Sequence, residues 1–342
     1  MAGEPVRRAG LALALTLGVG VAAIGDRAAT QETAPLSATQ IADREETSDR
    51  GRAALVAAFE IEAASDAFGG VSGLRVFGDD LIAVSDRGNW LRFSLIRDAD
   101  GRLRGVGTSV RIEPLRDAGK GALEASSADA EALAVTDRGL LWVAFERGHR
   151  IVRYDRIGGS AQAEASQLPI AGLASNGGVE GLAIDGDGAL IALIEEPVKS
   201  RGLPTDAKPG SILGWRLIGG KATPFWIPRI DQFAATGADI GPDGALYLLE
   251  RRYSFWTGVR LRIRRFEPLT LRALRSHPGP GAVGFGPGRT IATLGPLGPV
   301  DNMEAISVEP RSGGGLWIFV ASDDNFSARQ RTLLLQYAYP PR

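Results

Sequence analysis

GGVEGLAIDGDGALIALIEE, residues 177–196, is the stretch whose reading decides the fold. Glu180 is followed by a small residue and an apolar run. An Asp/Gly turn intervenes at 185–188, and a second apolar run ends on acids. Short apolar runs bounded by Gly, Asp, Asn or Pro read as strands, and Asp-Gly between two of them reads as a hairpin turn. Outward from this stretch the same shape recurs four times: GGVSGLRVFGDDLIAVSDRG (69–88), DAEALAVTDRGLLWVAFERG (129–148), ATGADIGPDGALYLLERR (235–252) and DNMEAISVEPRSGGGLWIFVASDDN (301–325). The first polar positions are Ser72, Glu131, Glu180, Thr236 and Glu304, with spacings of 59, 49, 56 and 68 residues. A strand–turn–strand unit at this kind of period is the signature of β-propeller blades.

The remainder of each repeat supplies outer strands. NWLRFSLI (89–96), HRIVRYD (149–155), SILGWRLI (211–218) and VRLRIRRFE (259–267) follow the first four hairpins, and RTLLLQYAY (331–339) follows the fifth. The fifth repeat then lacks a last strand, while ALVAAFEIEA (54–63) stands alone before the first. Pairing the two closes a ring and removes open sheet edges. The expected fold is therefore all-β, a five- or six-bladed propeller with five countable repeats. A sixth, degenerate blade would have to lie in 276–299, whose SHPGPGAVGFGPGR reads more readily as a long loop.

Composition narrows the chemistry. With 44% hydrophobic and 23% charged residues the chain has an ordinary globular balance. Lys+Arg 39 against Asp+Glu 40 leaves no basic footprint for nucleic acid. Zero Cys excludes disulfides, a thiol nucleophile and thiolate metal centres, and two histidines, His149 and His277, exclude a His-rich metal site. At the N-terminus Arg7-Arg8 precede an apolar stretch from Ala9 to Ile24, the pattern of an export signal over residues 1–25. Its 16 residues fall short of the ~20 of a comfortable span; an uncleaved anchor is the alternative. Paired arginines also admit the twin-arginine route. Residues 26–52 are polar and aperiodic and read as a flexible linker, so the domain runs 53–342.

The strings GGVSGL…AVSDRG, VEGLAI, LLERRYSF…GVRLRIRRF and DNMEAI…ASDDNFSARQRTLLLQY together resemble the phytase-like domain family, also labelled esterase-like activity of phytase. The resemblance covers residues from about 53 to 340, and DNMEAI and SDDNF are its most specific pieces. It implies an exported bacterial β-propeller, placed in the periplasm or secreted. By analogy with calcium-dependent β-propeller phytases it also implies phosphoester hydrolysis. Fold alone does not assign function.

The residues point to chemistry on their own account. If the repeats are blades, Ser72, Glu131, Glu180, Thr236 and Glu304 converge near the axis. A second ring, Asp86, Glu146, Glu195, Glu250 and Asp323, follows the paired strand at the same mouth. Crowded carboxylates cannot all ionise without a cation, and calcium takes six to eight oxygen ligands. Glu131, Glu180, Glu304, Asp323 and Asp86 are the candidate metal ligands. Arg87, Arg147 and Arg251 directly follow acids of the second ring and, with Glu180, form the candidate catalytic set, since Arg binds phosphate bidentately. Strand-end acids that merely bond a neighbouring blade are the competing reading for each position.

Lesser features carry less. DGDG (185–188) lacks the full calcium-loop spacing and reads as a turn. GVSG around Ser72 lacks the nucleophile-elbow frame, which disfavours a serine esterase. Arg260, Arg262 and Arg264 share one strand face, expected to be solvated. Tyr253, Phe255 and Trp256 form an aromatic loop that covers the mouth or packs between blades. The sequence thus anticipates a monomeric hydrolase of a small phosphoester with Ca2+, no nucleic-acid partner and no membrane span after signal cleavage. A non-catalytic binding propeller and a metal-dependent lactonase-like hydrolase are the alternatives.

Overall fold

The structure, a computed structural model, describes residues 31–43, 53–119, 121–164, 168, 177–195, 208–277 and 281–340. The export segment expected at 1–25 lies outside the described residues. The first described strands are β1 (Glu32–Ala42) and β2 (Ala54–Ala63). A first group follows: β3 (Val71–Phe77), β4 (Asp80–Ser85), β5 (Asn89–Arg97), β6 (Leu103–Val106) and β7 (Ser109–Pro114). The second is β8 (Ala130–Val135), β9 (Leu141–Phe145), β10 (Arg150–Tyr154) and β11 (Ala161–Glu164). The third is β12 (Val179–Ile184), β13 (Leu190–Ile194), β14 (Ile212–Ile218) and β15 (Lys221–Ile227). Then come β16 (Ala234–Ile240), β17 (Leu246–Ser254), β18 (Gly258–Phe266), α1 (Pro268–Arg275), β19 (Val283–Gly284) and β20 (Arg289–Leu294). The last group is β21 (Asn302–Pro310), β22 (Leu316–Asp323) and β23 (Leu333–Tyr339).

Each group is an antiparallel meander, and the five first strands, β3, β8, β12, β16 and β21, touch one another in succession with β21 returning to β3. The architecture is all-β and propeller-like, with the inner strands around an axis. The inner strands of each group are buried on both faces because each sheet is packed between two others. In β13 all five residues, Leu190 to Ile194, are buried, which is why the repeats read as continuous apolar runs rather than alternations. Residues 276–299 supply outer edges to groups already present: β20 pairs with β18, and β19 lies parallel to β15. Among the described residues they form no further blade.

The ring closes as the repeats require. β2 pairs antiparallel with β23, Phe59 opposite Leu334 and Glu60 opposite Leu333. The linker expected at 26–52 is corrected in its middle, since β1 occupies Glu32–Ala42. β1 pairs with β2 from Leu36↔Ala63 to Ala42↔Ala58 and with β7 from Glu32↔Ile112 to Pro35↔Ser109. It thereby joins the last group to the first in one ten-stranded sheet. ETAPLSATQIA hides this role because few of its side chains are buried; Ala34 and Leu36 are the buried pair. The strand is held by backbone pairing to two exposed edges, which carries no apolar signature.

Leu36→Ala separates a strand from a linker. Leu36 is 7% exposed and its N–H donates to the Thr108 carbonyl at 2.9 Å. Truncation is expected to cost about 2 kcal/mol and to lower the melting temperature by several degrees. An unchanged thermal melt by circular dichroism would show that β1 is not part of the ring.

Candidate functional site

One local device builds the site five times. In every inner strand the antiparallel register slips by one residue at the polar anchor. The slips lie between Val71 and Gly73, Ala130 and Ala132, Val179 and Gly181, Ala235 and Gly237, and Met303 and Ala305. The residues left over are Ser72, Glu131, Glu180, Thr236 and Glu304. A β-bulge leaves one residue unpaired and re-aims its side chain, here toward the axis. The small residue after each anchor lets the inner strands approach. A Cβ on Gly73 would lie 2.5 Å from the Leu133 nitrogen, and one on Gly237 2.7 Å from the Glu304 carbonyl oxygen.

The anchors divide by chemistry. The Ser72 hydroxyl donates to the Ala130 carbonyl, and the Thr236 hydroxyl donates to the Met303 carbonyl at 2.8 Å. Each carbonyl belongs to the residue before the acid of the neighbouring group, so the hydroxyls seal one group to the next. Glu131, Glu180 and Glu304 instead line a cavity of about 340 Å³, together with Asp86, Asp129, Glu195 and Asp323. Arg251, Ser72, Asn302 and Asn325 complete the wall. Beneath it Leu74, Leu133, Leu182 and Ile306 fill the axis and leave about 10 Å³. Farther along the same strands Arg75 and Asp239 pair at 2.5 Å. The cavity therefore opens at one mouth.

The second ring holds with one change of residue. The position after the partner of each bulge is Asp86, Glu146, Glu195 and Asp323 in four groups. In the fourth, Ala235 pairs with Glu250, so the equivalent is Arg251. Glu250 is corrected out of the mouth: it is wholly buried, accepting from Arg262 Nε at 2.7 Å and from Arg264 Nε and Nη2 at 2.8 and 2.6 Å. The face of Arg262 and Arg264, expected to be solvated, is buried for the same reason, and carbonyls of Pro228 and Ile230 take their remaining donors. Arg251 bridges Glu195 at 3.1 Å and Glu304 at 2.8 Å. Of the three arginines expected at the substrate it alone lines the cavity. Arg147 pairs with Asp129 at 3.1 Å with its side chain 56% exposed. Arg87 lies over the Phe326 ring, 3.3 Å from its centroid, and donates to the Asp66 carbonyl.

Three wall residues escaped sequence reasoning: Asp129, Asn302 and Asn325. Asp129, Glu131 and Glu146 each place an oxygen within 4.8 Å of the others. Asn302 donates to Asp323 Oδ2 at 3.2 Å, and the Asn325 N–H donates to Asp323 Oδ1 at 2.6 Å. The latter needs a left-handed backbone at Asn325 and Phe326, φ 48° and 49°. Asp324 fastens that turn by accepting from the N–H groups of Gly70 and Phe326. The acidic residue two before an anchor and the Asn beside an acid were the available signals.

Burial, reinforced by neighbouring carboxylates, keeps these acids protonated far above their usual range. Desolvation and then Asp129 push Glu131 up to about 9. Desolvation and then Asp323 push Asp86 to about 7. Glu180 is raised well above its ordinary value by burial and then by Glu131. Burial lifts Glu304 to about 8 against the pull of Arg251, and Asp323 to about 6 against the Asn325 N–H. Asp86 Oδ1 is buried without a hydrogen-bond partner. Among the described residues the atoms of the wall that could bind a metal are carboxylate, amide and hydroxyl oxygens, a set that suits a hard divalent ion.

Comparison with known proteins bears on this arrangement. The family model described as Phytase-like, esterase-like activity of phytase, matches residues 66–326. Solved structures that resemble the chain include a gluconolactonase from Xanthomonas campestris, at 15% identity and TM-score 0.40, covering 84% of this chain and 79% of that one. Virginiamycin B lyase from Staphylococcus aureus is similar at 13% identity and TM-score 0.38, with 82% and 86% covered. A protein of unknown function from Dyadobacter fermentans follows at 12% identity and TM-score 0.42, with 90% and 99% covered. No curated protein matches. Among the described residues no helix is long and apolar enough to cross a membrane.

Two acids that look alike in the repeats are expected to respond in opposite ways. Without metal, the unfolded chain releases the protons of Glu131, Glu180 and Glu304 near pH 4.5, whereas the folded chain keeps those of Glu131 and Glu304 to about pH 9 and 8 and that of Glu180 well above its ordinary range. The folded state then binds more protons, so their contribution is full below pH 4.5 and is lost as pH rises through the folded values. Glu180→Gln should raise the metal-free melting temperature at pH 8 by a few degrees and leave it unchanged at pH 4. Glu250→Ala strands two buried guanidinium groups and should cost about 3–5 kcal/mol at either pH. Melts of the two variants at both pH values check the assignment, and equal behaviour would sink it.

Proposed function

The chain belongs to the Phytase-like family, esterase-like activity of phytase, and from that premise we propose that it is an exported, calcium-dependent phosphoester hydrolase working at the acidic mouth. The observation that carries the reading is the charge imbalance of the cavity, among the described residues seven carboxylates against one guanidinium. Arg251 answers Glu195 and Glu304. Of the other five, Asp129 is shared with Arg147, Glu180 keeps its proton, and Asp86, Glu131 and Asp323 remain for a divalent ion, with Glu146 next to Asp129 and Glu131. The trio Asp129, Glu131 and Glu146 is the tightest of these groupings.

Bound calcium would supply a positive centre that draws in a phosphoryl oxygen and acidifies water. Arg251 faces the same volume and donates in a fork to a second phosphoryl oxygen, exchanging its hold on Glu195 or Glu304 for the substrate. Glu180, at the deep end between the cavity and the apolar floor, holds a proton for the leaving oxygen. Ser72 and Thr236 keep the inner strands in register so that the acids stay aimed. Arg7-Arg8 and the apolar stretch 9–24 support export to the periplasm, where the chain acts on a small phosphoester as a monomer.

A second reading has its own observation. Among the described residues the cavity holds a single guanidinium, already paired twice, which suits a neutral ester or lactone handled by a metal.

Titrating calcium into chelator-treated protein should raise the melting temperature. Binding at 100 times Kd contributes about 2.7 kcal/mol, a shift of a few degrees. Asp129→Asn should weaken that shift. Arg251→Gln should retain most of it while lowering turnover of a phosphomonoester at least about 10²-fold, the cost of removing one charge-stabilising donor. Hydrolysis of lactones with no phosphoester turnover would favour the second reading. Absence of both activities and of any calcium shift would leave a non-catalytic binding propeller.

A further inference from the structure

One hairpin outgrows its equivalents at the cavity mouth. The β4–β5 ladder ends at Ser85↔Asn89 and the β9–β10 ladder at Phe145↔Arg150, both at the level of the acidic ring. The β17–β18 ladder continues past Arg251 through Arg252↔Arg260 and Tyr253↔Val259 to Ser254↔Gly258. At roughly 3.3 Å per residue, the tip stands about 10 Å beyond Arg251. Tyr253, Phe255 and Trp256 are 70%, 81% and 88% exposed, and Leu297, in the loop that meets the hairpin at Gly258, is fully exposed. The loop bearing Leu297 packs on the hairpin, since a Cβ on Gly258 would meet Pro296 at 3.1 Å. The rings of Phe255 and Trp256 meet edge to face at 5.3 Å, so the tip is one apolar body.

We propose that this tip is a lipid-docking prong: Tyr253, Phe255, Trp256 and Leu297 enter the interfacial layer of an anionic bilayer while Arg252 and Arg260 meet headgroup phosphates. Charge complementarity selects the occupant. Arg252 and Arg260 face each other directly across the ladder, an arrangement of like charges that is unfavourable by itself. Neither makes an ion pair with a described acid, whereas Arg262 and Arg264 on the same face share Glu250. Two cations that no described acid answers, under an aromatic tip, match the layered polarity of a membrane surface, where Trp and Tyr sit at the headgroup level. A lid over the cavity fits less well, because among the described residues the cavity wall contains no aromatic one and the rings face solvent. Tip-to-tip pairing of two copies would bring the arginines of both together, and head-to-tail association would need a second apolar patch. The other exposed large hydrophobics, Phe77, Ile96, Ile218 and Leu269, are scattered on separate elements.

The test reads Trp256 itself, because residues 9–24 could bind vesicles by their own hydrophobicity. The other five tryptophans are buried or half-buried, which makes Trp256 the one that reports a change of solvent. The full chain is mixed with vesicles of phosphatidylcholine alone or with phosphatidylglycerol, with and without bromine-labelled acyl chains. With phosphatidylglycerol the expected result is a blue shift and bromine quenching that disappear in Trp256→Phe. Arg252→Gln with Arg260→Gln should weaken the apparent affinity roughly thirtyfold, and salt should do the same. Vesicle binding with no shift or quenching at Trp256 overturns the proposal. So does a shift that is equal on neutral vesicles and indifferent to the arginines. A Tyr253→Ser, Phe255→Ser, Trp256→Ser variant that loses turnover of a soluble substrate, with vesicle quenching of Trp256 absent in the parent, would make the tip a lid. Concentration-dependent self-association lost in that variant would make it an interface between copies.

Discussion

The crowding of carboxylates at the axis is the constraint on which the rest of this molecule depends. Five bulged strands turn their anchors inward, and three of those anchors are buried acids crowded by neighbouring carboxylates, with Arg251 against Glu304. Such an arrangement stores repulsion that must be met by protons, by Arg251 or by a cation. It persists because the surrounding frame is over-determined. The hydroxyls of Ser72 and Thr236 tie adjacent groups at the same level, and apolar side chains fill the axis immediately below. Strain of this kind is characteristic of sites that bind or react.

Arginine is used in two ways, and the difference lies in what surrounds it. Arg262 and Arg264 are buried around Glu250 and finish their donors on backbone carbonyls, locking the 228–233 loop to the fourth group. Arg216 does the same for the DGDG turn through Asp185 and Asp187. These pairs are frame. Arg251 stands one residue from Glu250 yet reaches across two groups at the mouth. A single residue along a strand reverses the face of the side chain, and here it separates a structural acid from a cavity cation.

Closure completes the frame. A ring whose first and last strands pair has no free ends there, and β1 laid across the seam covers the two outer edges that remain. The apolar tip of the β17–β18 hairpin then stands out as an exposed feature that this frame does not require.

Sequence alone determined the all-β class, the five repeats, the closing strand 54–63 and the convergence of Glu131, Glu180, Glu304, Asp86 and Asp323. All of these follow from local hairpin chemistry repeated at a period, and repetition turns weak local signals into a ring. The residues 131 and 146, 180 and 195, and 236 and 251 share one separation, so even Arg251 was legible by counting from the anchor. The choice of Glu250 followed charge instead of register. Only tertiary structure decided that Arg262 and Arg264 turn inward, that Arg87 and Arg147 stay outside the cavity, that Asp129, Asn302 and Asn325 join it, and that ETAPLSATQIA is a strand. Each of these depends on a partner distant in the chain: a carbonyl at 230, a ring at 326, a strand edge at 109–112. A segment's own pattern records its periodicity and turns, whereas the partner that satisfies its polar groups is chosen by packing among groups the segment does not contain.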